Sequence, residues 1–315
     1  MRRHFLAALA LACACGAAWG QTAGQTAGQT AGQAADQAAG HGDGVTVYAA
    51  GDIARCPYRD ARYSGAADTA DTVAAGLARD PQAVVLALGD LTYPIGAAAE
   101  FRDCYTPTWG RFKERTWPAP GNHEYYTPGA RPYFDYFGAR AGKGYYSLEI
   151  GSWHVISLDS NLAPAEHAAQ LAWLRTDLDA HPARCTLAFW HHPLYSSGGH
   201  GSVPRMRDAW QMLYDAGAEL VLSGHDHDYE RFAPQDAGGR VDAARGLRQF
   251  VVGTGGAYPT PFLLTVAHSE VRDSSRQGVL RLRLRDGGYD WEFLESNRIT
   301  TLGVAPADKG SARCH

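Results

Sequence analysis

Hydrophobic and polar positions along residues 45–300 follow the two periodicities of a layered α/β domain. Six short apolar runs predict strands, at residues 45–50, 83–88, 153–158, 185–190, 219–223 and 249–253. Three longer segments repeat apolar residues at helical intervals and predict helices, at residues 69–79, 168–178 and 205–216. Strands that alternate with helices in this way favour a sheet-based core with helices packed on it.

The end of this region predicts a closing β-hairpin. Leucines alternate with arginines ahead of an Asp-Gly-Gly turn, which places strands at residues 278–284 and 289–294. The arginines then share one face of the hairpin, and we expect that face to be solvated. Because no Pro/Ser-rich linker interrupts residues 45–300, residues 45–315 are predicted to form a single domain.

The first twenty residues have the pattern of an export signal. Arg2 and Arg3 form a basic start, residues 5–18 are apolar, and small residues surround a possible cleavage point after Gly20. The apolar stretch is too short to span a bilayer comfortably, so the processed chain is expected to lack a transmembrane segment. Residues 1–20 are therefore predicted to be a signal peptide, and the protein is predicted to be exported to a periplasmic or extracellular location.

The leader and the segment after it carry two further signals. Cys13 and Cys15 leave a bacterial lipoprotein signal, and hence lipid anchoring, as an open alternative. Residues 21–44 repeat Gln-Thr-Ala-Gly and continue into alanine-rich sequence that has almost nothing large and apolar to bury. Such a low-complexity segment is predicted to be a disordered linker.

The charge of the chain argues against one class of partner. The chain carries 29 Lys and Arg against 33 Asp and Glu, a formal net charge of −4, and it has no basic run. Nucleic acid is therefore a poor primary partner, because its binding depends on clustered positive charge. A small phosphorylated substrate is compatible with this composition, and the sequence leaves the oligomeric state open.

The cysteines beyond the leader are Cys56, Cys104, Cys185 and Cys314. They contain no Cys-x-x-Cys pair, so a zinc–thiolate site is not expected, whereas export to an oxidising compartment favours two disulfides. Of the three possible pairings we prefer Cys56 with Cys104 and Cys185 with Cys314. The first bridge would brace two loops that follow predicted strands, and the second would attach the C-terminus to the core.

Acids, an amide and histidines collect in the short loops that follow the predicted strands. They are Asp52, Asp90, Asn122, His123, His191, His192, His225 and His227. Ligands in open α/β sheets bind outside the carboxyl ends of the strands, so one fold can bring these side chains together. Glycines at positions 51, 89, 121 and 224 fit sharp turns beside bound ions. The pattern predicts a metal site.

These loops carry five motifs in a fixed order. They are Gly51-Asp52, Gly89-Asp90-Leu91-Thr92-Tyr93, Gly121-Asn122-His123-Glu124, His191-His192-Pro193 and Gly224-His225-Asp226-His227. The series resembles the sequence blocks of the calcineurin-like metallophosphoesterases. The segments 229–231 (Tyr-Glu-Arg) and 253–256 (Gly-Thr-Gly-Gly) are similar to the purple acid phosphatase branch of that superfamily. The resemblance implies a four-layer α-β-β-α sandwich in a single α/β domain.

One departure from the wider superfamily supports that branch. Many members have Asp-x-His in the first motif, whereas this chain has Asp52-Ile53-Ala54. In the purple acid phosphatase pattern, a tyrosine three residues after the second aspartate replaces the missing histidine. Tyr93 stands at that position.

The resemblance also implies two metal ions and divides their ligands. One ion would be bound by Asp52, Tyr93 and His227, the other by Asn122, His191 and His225, and both by Asp90. Two carboxylates and a phenolate form a hard, anionic site that suits Fe(III). An amide and two imidazoles suit a divalent ion, namely Zn, Fe(II) or Mn.

Two such ions hold a phosphate ester and provide a metal-bound hydroxide as nucleophile. The resemblance therefore implies an acid phosphatase-like enzyme that hydrolyses phosphate monoesters. His123 and His192 lie beside ligands and are candidate catalytic residues, which would hydrogen-bond a substrate oxygen or protonate the leaving alkoxide. For both histidines the alternative is a role confined to supporting the neighbouring ligands.

Two other functions stay open at this point. Phosphodiester or nucleotide hydrolysis would use the same centre, and the pocket loops at residues 125–142 and 196–203 carry no decisive specificity signal. A non-catalytic binding module that kept the fold is the second alternative. It is disfavoured because every ligand position of the family pattern is filled.

Overall fold

The computed structural model describes residues 44–56, 60–296 and 308–315. The predicted signal peptide, and the predicted linker up to residue 43, lie outside these described residues. The described residues fall within one unit, Ala38–His315. Among them, no helix has the length and apolar character needed to cross a membrane.

In the described part of the chain, thirteen strands form two sheets. The strands are β1 (Val45–Ala50), β2 (Val84–Leu88), β3 (Thr116–Ala119), β4 (Tyr146–Ile150), β5 (Trp153–Ser157), β6 (Cys185–Phe189), β7 (Leu220–Ser223), β8 (Tyr229–Phe232), β9 (Arg248–Val252), β10 (Ser269–Asp273), β11 (Gly278–Arg285), β12 (Gly288–Glu295) and β13 (Lys309–Arg313). The first sheet has the order β13-β12-β11-β1-β2-β3, and the second has the order β10-β8-β9-β7-β6-β5-β4. Within them, β1-β2-β3 and β5-β6-β7-β9 run parallel.

Helices fill the longer connections. The α-helices are α1 (Gly65–Arg79), α2 (Ala98–Glu100), α3 (Arg131–Phe137), α4 (Pro164–Ala180) and α5 (Arg207–Asp215). Short 3₁₀ turns occupy Ala61–Tyr63, Trp109–Arg115, Glu124–Tyr126, Pro128–Ala130, Gly138–Ala141 and Pro204–Met206, and a π turn occupies Phe101–Tyr105.

The two sheets pack face to face with helices outside them. Leu187 and Phe189 of β6 belong to the cluster between the sheets, whereas Ala188 belongs to a second cluster with residues of α4 and α5. Helix α1 covers the opposite side, where Gly76 lies so close to the Tyr48 hydroxyl that a Cβ there would be 2.1 Å from it. The layers are therefore α, β, β and α, which confirms the predicted sandwich.

All predicted strands and helices are present, with small differences at their ends. The largest concern α1 and α4, which begin at Gly65 and Pro164, each four residues before its predicted start. For α1 the cause is Ser64, because its Oγ accepts a hydrogen bond from the amide of Ala67 at 3.2 Å and caps the helix. The predicted hairpin is β11–β12, and Arg281 on its outer face pairs with Glu292 in solvent.

The two disulfides have the predicted pairing. Cys56 is joined to Cys104 with 5.8 Å between their Cα atoms, and Cys185 is joined to Cys314 with 5.6 Å. The first bridge connects the loop after β1 to the segment after α2. The second attaches the end of the chain to the start of β6, as expected.

Candidate metal centre

The sequence-predicted site residues come together where the carboxyl ends of the parallel strands of both sheets meet. Asp52 follows β1 and Asp90 follows β2 in the first sheet, while His191 follows β6 and His225 follows β7 in the second. Backbone hydrogen bonds join the two edges here, since the amide of Gly51 donates to the carbonyl of Val252 at 2.9 Å. The sandwich therefore delivers ligands from two sheets to one crevice.

Three of these residues have a backbone that side chains rarely adopt. Asp52, Asp90 and His225 have φ angles of 59°, 49° and 75°, in the left-handed region. Such conformations cost free energy and persist where the surroundings enforce them, as they often do at functional sites. Each one turns the chain sharply at the end of its strand and aims the side chain into the crevice.

One group of donors surrounds the Tyr93 hydroxyl. Its oxygen lies 2.9 Å from Asp52 Oδ1, 3.3 Å from Asp90 Oδ2 and 3.2 Å from His227 Nε2. His227 Nε2 is also 3.4 Å from Asp52 Oδ1. These four residues are the ones that the resemblance assigns to the first ion.

A second group shares Asp90 with the first. His191 Nε2 lies 3.2 Å from Asp90 Oδ2 and 3.2 Å from Asn122 Oδ1. Donor atoms of Asp90, His191 and His225 all lie within 4.8 Å of one another. Asp90 thus stands between the two groups, where the sequence analysis expects the bridging ligand.

The donor atoms around Tyr93 have too few hydrogens to satisfy their close contacts, which indicates that cations fit this site. A phenol has one hydrogen, yet the Tyr93 oxygen faces two carboxylates and an imidazole nitrogen, so at least one close contact lacks a hydrogen. Burial, together with the Asp52 and Asp90 charges, raises the pKa of Tyr93 well above its usual value. Only a strongly polarising cation would make this residue a phenolate, and carboxylate, imidazole and phenolate donors are the chemistry that such an ion prefers.

Glu124, the last residue of the Gly-Asn-His-Glu motif, ties the two ligand loops together. Its fully buried carboxylate accepts hydrogen bonds from the amides of Asp90 at 2.9 Å, Leu91 at 2.9 Å and Gly121 at 2.8 Å. Burial and the nearby Asp90 charge raise the pKa of Glu124 to about 8, while these amides act in the opposite direction. For Asp90, burial also acts to raise the pKa, but His191 and His123 more than offset it and hold the pKa below its usual range.

Glycines are required where loops touch ligands. A Cβ on Gly121 would lie 2.1 Å from Asp90 Oδ1, so any side chain there would displace the carboxylate. Gly89 has a φ of 86°, and a Cβ on it would lie 2.6 Å from His191 Nδ1. The sequence analysis singles out both glycines, and their close approach to the candidate ligands Asp90 and His191 explains them.

The two candidate catalytic histidines occupy opposite sides of the crevice. His123 lies between the rings of Tyr93 and Tyr126, with its Nδ1 2.5 Å from the carbonyl of Pro94 and its Nε2 3.7 Å from Asp90 Oδ2. An Nδ1–H therefore donates to that carbonyl and leaves Nε2 facing the centre.

His192 is held by a single hydroxyl. Ser160 Oγ accepts from the backbone amide of His192 at 3.1 Å and lies 2.8 Å from its Nδ1. The hydroxyl hydrogen is free to donate to Nδ1, and in that tautomer the imidazole carries its own hydrogen on Nε2. The ring centroid is 4.4 Å from that of His225, so this side chain borders the second group of donors.

His200 also reaches the centre, although the sequence analysis did not single it out. Its ring centroid lies 4.7 Å from that of His225 and 5.8 Å from that of His227, and the side chain is 46% exposed. Asp226 Oδ1 holds it, 3.2 Å from Nδ1 and 2.7 Å from the backbone amide. The hydrogen bond to Asp226 raises the pKa of His200. The sequence signal was indirect, since His200 lies in the pocket loop at 196–203 and its partner is the variable position of Gly-His-x-His.

Comparison with known proteins shows what this chain is similar to. The family model described as calcineurin-like phosphoesterase matches residues 45–229. Purple acid phosphatase 15 of Arabidopsis thaliana is 28% identical over 204 residues, which are 52% of this chain and 38% of that protein. Phosphoenolpyruvate phosphatase of Allium cepa is 28% identical over 246 residues, which are 68% of this chain and 47% of that protein.

The fold comparison agrees with the sequence comparison. The structure of purple acid phosphatase PPD1 from yellow lupin seeds superposes with a TM-score of 0.66 at 18% identity, over 85% of this chain and 53% of that one. The chain spans less than half the length of either curated relative.

Proposed function

This chain belongs to the calcineurin-like phosphoesterase family, and on that basis we propose that it is an exported two-metal phosphatase that hydrolyses phosphate monoesters. The observation that carries the proposal is the shared position of Asp90 between two groups of metal-type donors. The similarity to purple acid phosphatases supports the same reaction class. Residues 45–315 would be the catalytic domain.

The two donor groups are assigned to two different ions. Fe(III) would be held by Asp52, Asp90, Tyr93 and His227, and Zn, Fe(II) or Mn by Asp90, Asn122, His191 and His225. When bound, such a pair of ions polarises phosphoryl oxygens and supplies an activated water at neutral pH. The protein would hold the donor atoms in fixed positions. Glu124 contributes to this, because its carboxylate accepts hydrogen bonds from both the Asp90 loop and the Asn122 loop.

Three further histidines lie around the two donor groups and would act on the substrate. The Nε2–H of His192 would donate to a phosphoryl oxygen, because its Nδ1 is already occupied by Ser160. His123 and His200 lie on other sides of the crevice and would hydrogen-bond substrate or protonate the leaving alkoxide. Export is supported by the two disulfides, which persist in oxidising compartments.

Substrate preference tests the proposal most directly. Purified, metal-loaded protein should turn over p-nitrophenyl phosphate with a higher kcat/KM than bis(p-nitrophenyl) phosphate. A preference for the diester or for nucleotides would instead favour the phosphodiesterase alternative. No turnover of either ester, with both metal ions bound, would favour the binding module.

His192→Ala is expected to lower kcat by up to about 100-fold, the lower end of the range for acid–base and hydrogen-bonding groups. Both metal equivalents should be retained, because His191 keeps its own hydrogen bond to the carbonyl of Leu88 at 2.9 Å. Steady-state kinetics and metal analysis check this. Ser160→Ala is the matched control, since it frees the ring without deleting it and should cause a smaller loss. Loss of one metal equivalent from His192→Ala would exchange the roles of the two neighbouring histidines.

His200→Ala is expected to lower kcat by about 100-fold while metal content stays unchanged. Asp226→Asn should reproduce part of this loss, because Asp226 orients His200 through the ring and the amide. The comparison of kcat, KM and metal content in the two variants is the measurement. If His200→Ala keeps full turnover, then His200 only packs against the ligand histidines.

A further inference from the structure

A second cluster of metal-type donors lies away from the centre. It consists of Glu149 in β4, His154 in β5, and Asp177 and His181 at the end of α4. His154 is paired in register with Thr186 near the start of β6, whereas the ligand His191 follows the end of that strand. Five residues of extended chain separate these two positions, which corresponds to about 16 Å. The cluster therefore sits at the amino ends of the strands and is distinct from the first site.

His154 is the buried member of the cluster and touches two carboxylates. Its Nδ1 is 2.7 Å from Glu149 Oε1 and its Nε2 is 2.8 Å from Asp177 Oδ2, while its side chain is 1% exposed. A neutral imidazole has only one N–H, so one of these contacts requires an additional cation, either a second proton or a metal ion. Burial disfavours the protonated ring, but the hydrogen bonds to Asp177 and Glu149 outweigh it and raise the pKa of His154, so a proton and a metal ion compete for this position.

His181 brings a second imidazole to the same carboxylate. Its Nδ1 is 3.4 Å from Asp177 Oδ1 and 2.9 Å from the carbonyl of Asp177, and its ring stacks on that of His154 with 4.8 Å between centroids. Donor atoms of His154, Asp177 and His181 all lie within 4.8 Å of one another. An ion pair with the Asp177 carboxylate would need only one imidazole. Two imidazoles and a carboxylate together are the kind of ligand set that binds zinc.

We propose that His154, Asp177 and His181 bind one divalent transition-metal ion, for which zinc is the best match. Tetrahedral zinc with bonds of 2.0–2.1 Å keeps neighbouring ligand atoms about 3.3 Å apart. The present nitrogen–oxygen separations are 2.8 Å for His154 and 3.4 Å for His181. Because the two rings stack with 14° between their planes, the half-exposed His181 ring must turn for both nitrogens to face one ion, and it would exchange its backbone hydrogen bond for the metal. Because His181 is half exposed, water could reach the ion and would be its fourth ligand.

Neighbouring residues hold His154 and Asp177 in place, as outer residues hold metal ligands in other proteins. Glu149 accepts the Nδ1–H of His154, which fixes the tautomer that presents Nε2 to the ion. Ser147 donates to Asp177 Oδ1 at 2.6 Å and holds that carboxylate in place. A carboxylate, a histidine and a metal in series are a recurring arrangement in zinc proteins, and Glu149 and His154 would supply the first two members.

The ion would have a structural role. It would connect the β4–β5 hairpin to the end of α4 beside Cys185, which pairs with Trp153 and carries the disulfide to the C-terminus. An ion that binds only the folded state stabilises it by mass action, so zinc should raise the melting temperature without contributing to turnover.

The test compares the metal content of whole protein variants. Wild type equilibrated with zinc and desalted is expected to contain one equivalent more than His181→Ala, whose exposed site tolerates truncation. The zinc-dependent rise in melting temperature should shrink in His181→Ala, while phosphatase activity stays at the wild-type level. Asp179→Asn is the matched control, because it removes an exposed carboxylate from the same turn of α4 and should retain the extra equivalent.

Two outcomes would overturn the proposal. Equal zinc content in wild type and His181→Ala would mean that the cluster holds a proton rather than a metal. The same conclusion follows if Asp177→Asn, measured as a second variant, keeps the extra equivalent and the zinc-dependent stabilisation.

Discussion

Asp90→Asn is expected to reduce bound metal to below one equivalent per chain. It should also reduce kcat/KM by more than about 10- to 100-fold, the loss typical of removing a residue that only hydrogen-bonds to a metal ligand. Asp90 is 2% exposed, and its Oδ2 lies close both to the Tyr93 hydroxyl and to His191 Nε2. An amide in its place supplies neither the shared negative charge nor a second anionic oxygen. Both ions would therefore lose a ligand in a single substitution.

Metal analysis and kinetics on the same purified sample check this result, with Asp159→Asn as the control. Asp159 is a buried carboxylate at the end of β5 that accepts hydrogen bonds from Tyr125 and from the amide of Asn161. Its replacement should lower stability and leave the metal content unchanged. Two full equivalents and normal turnover in Asp90→Asn would reject the shared-ligand assignment.

The sequence predicted the centre of each sheet better than its edges. The buried strands β1, β2, β6 and β7 are almost entirely apolar, because parallel strands inside a sandwich are covered on both faces. The strands that the sequence analysis did not predict are β3, β4, β8, β10 and β13, and four of these are the outermost strands of the two sheets. Edge strands such as β13, Lys309–Arg313, carry polar and charged residues that blunt pairing, so their pattern resembles that of a loop.

In the candidate site too, features set by neighbouring residues could be predicted, whereas contacts between distant residues could not. The candidate ligand positions could be identified from the sequence because they lie in loops that follow strands and are marked by motifs. The hydrogen bonds from Glu124 to the Asp90 loop and the position of His200 beside His225 could not be predicted, because both depend on contacts between loops that are distant in sequence. The left-handed backbone of Asp52 and Asp90 could not be predicted either, since it is uncommon even for aspartate, which adopts it more readily than most residues, and the fold imposes it.

Tyr93→Phe is the second substitution with a large expected effect, and its readout is spectroscopic. The wild-type protein loaded with iron and oxidised should absorb visible light, because phenolate bound to Fe(III) gives a ligand-to-metal charge-transfer band. The variant should lose that band and bind less Fe(III). The fold should remain intact, because the substitution removes only a hydroxyl from a side chain that is 6% exposed and packed against His123.

The colour depends on Tyr93 for a specific reason. The pKa of its phenol is raised well above the usual value by burial and by the Asp52 and Asp90 carboxylates, so only a cation of high charge would displace the proton. Tyr126→Phe is the matched control, since it removes another hydroxyl beside His123 and Asn122 and should keep the band. If the wild type is colourless and iron-free yet fully active with two zinc or manganese ions, Tyr93 is not a ferric ligand. The centre would then be a two-metal phosphoesterase site that uses the same donors for divalent ions alone.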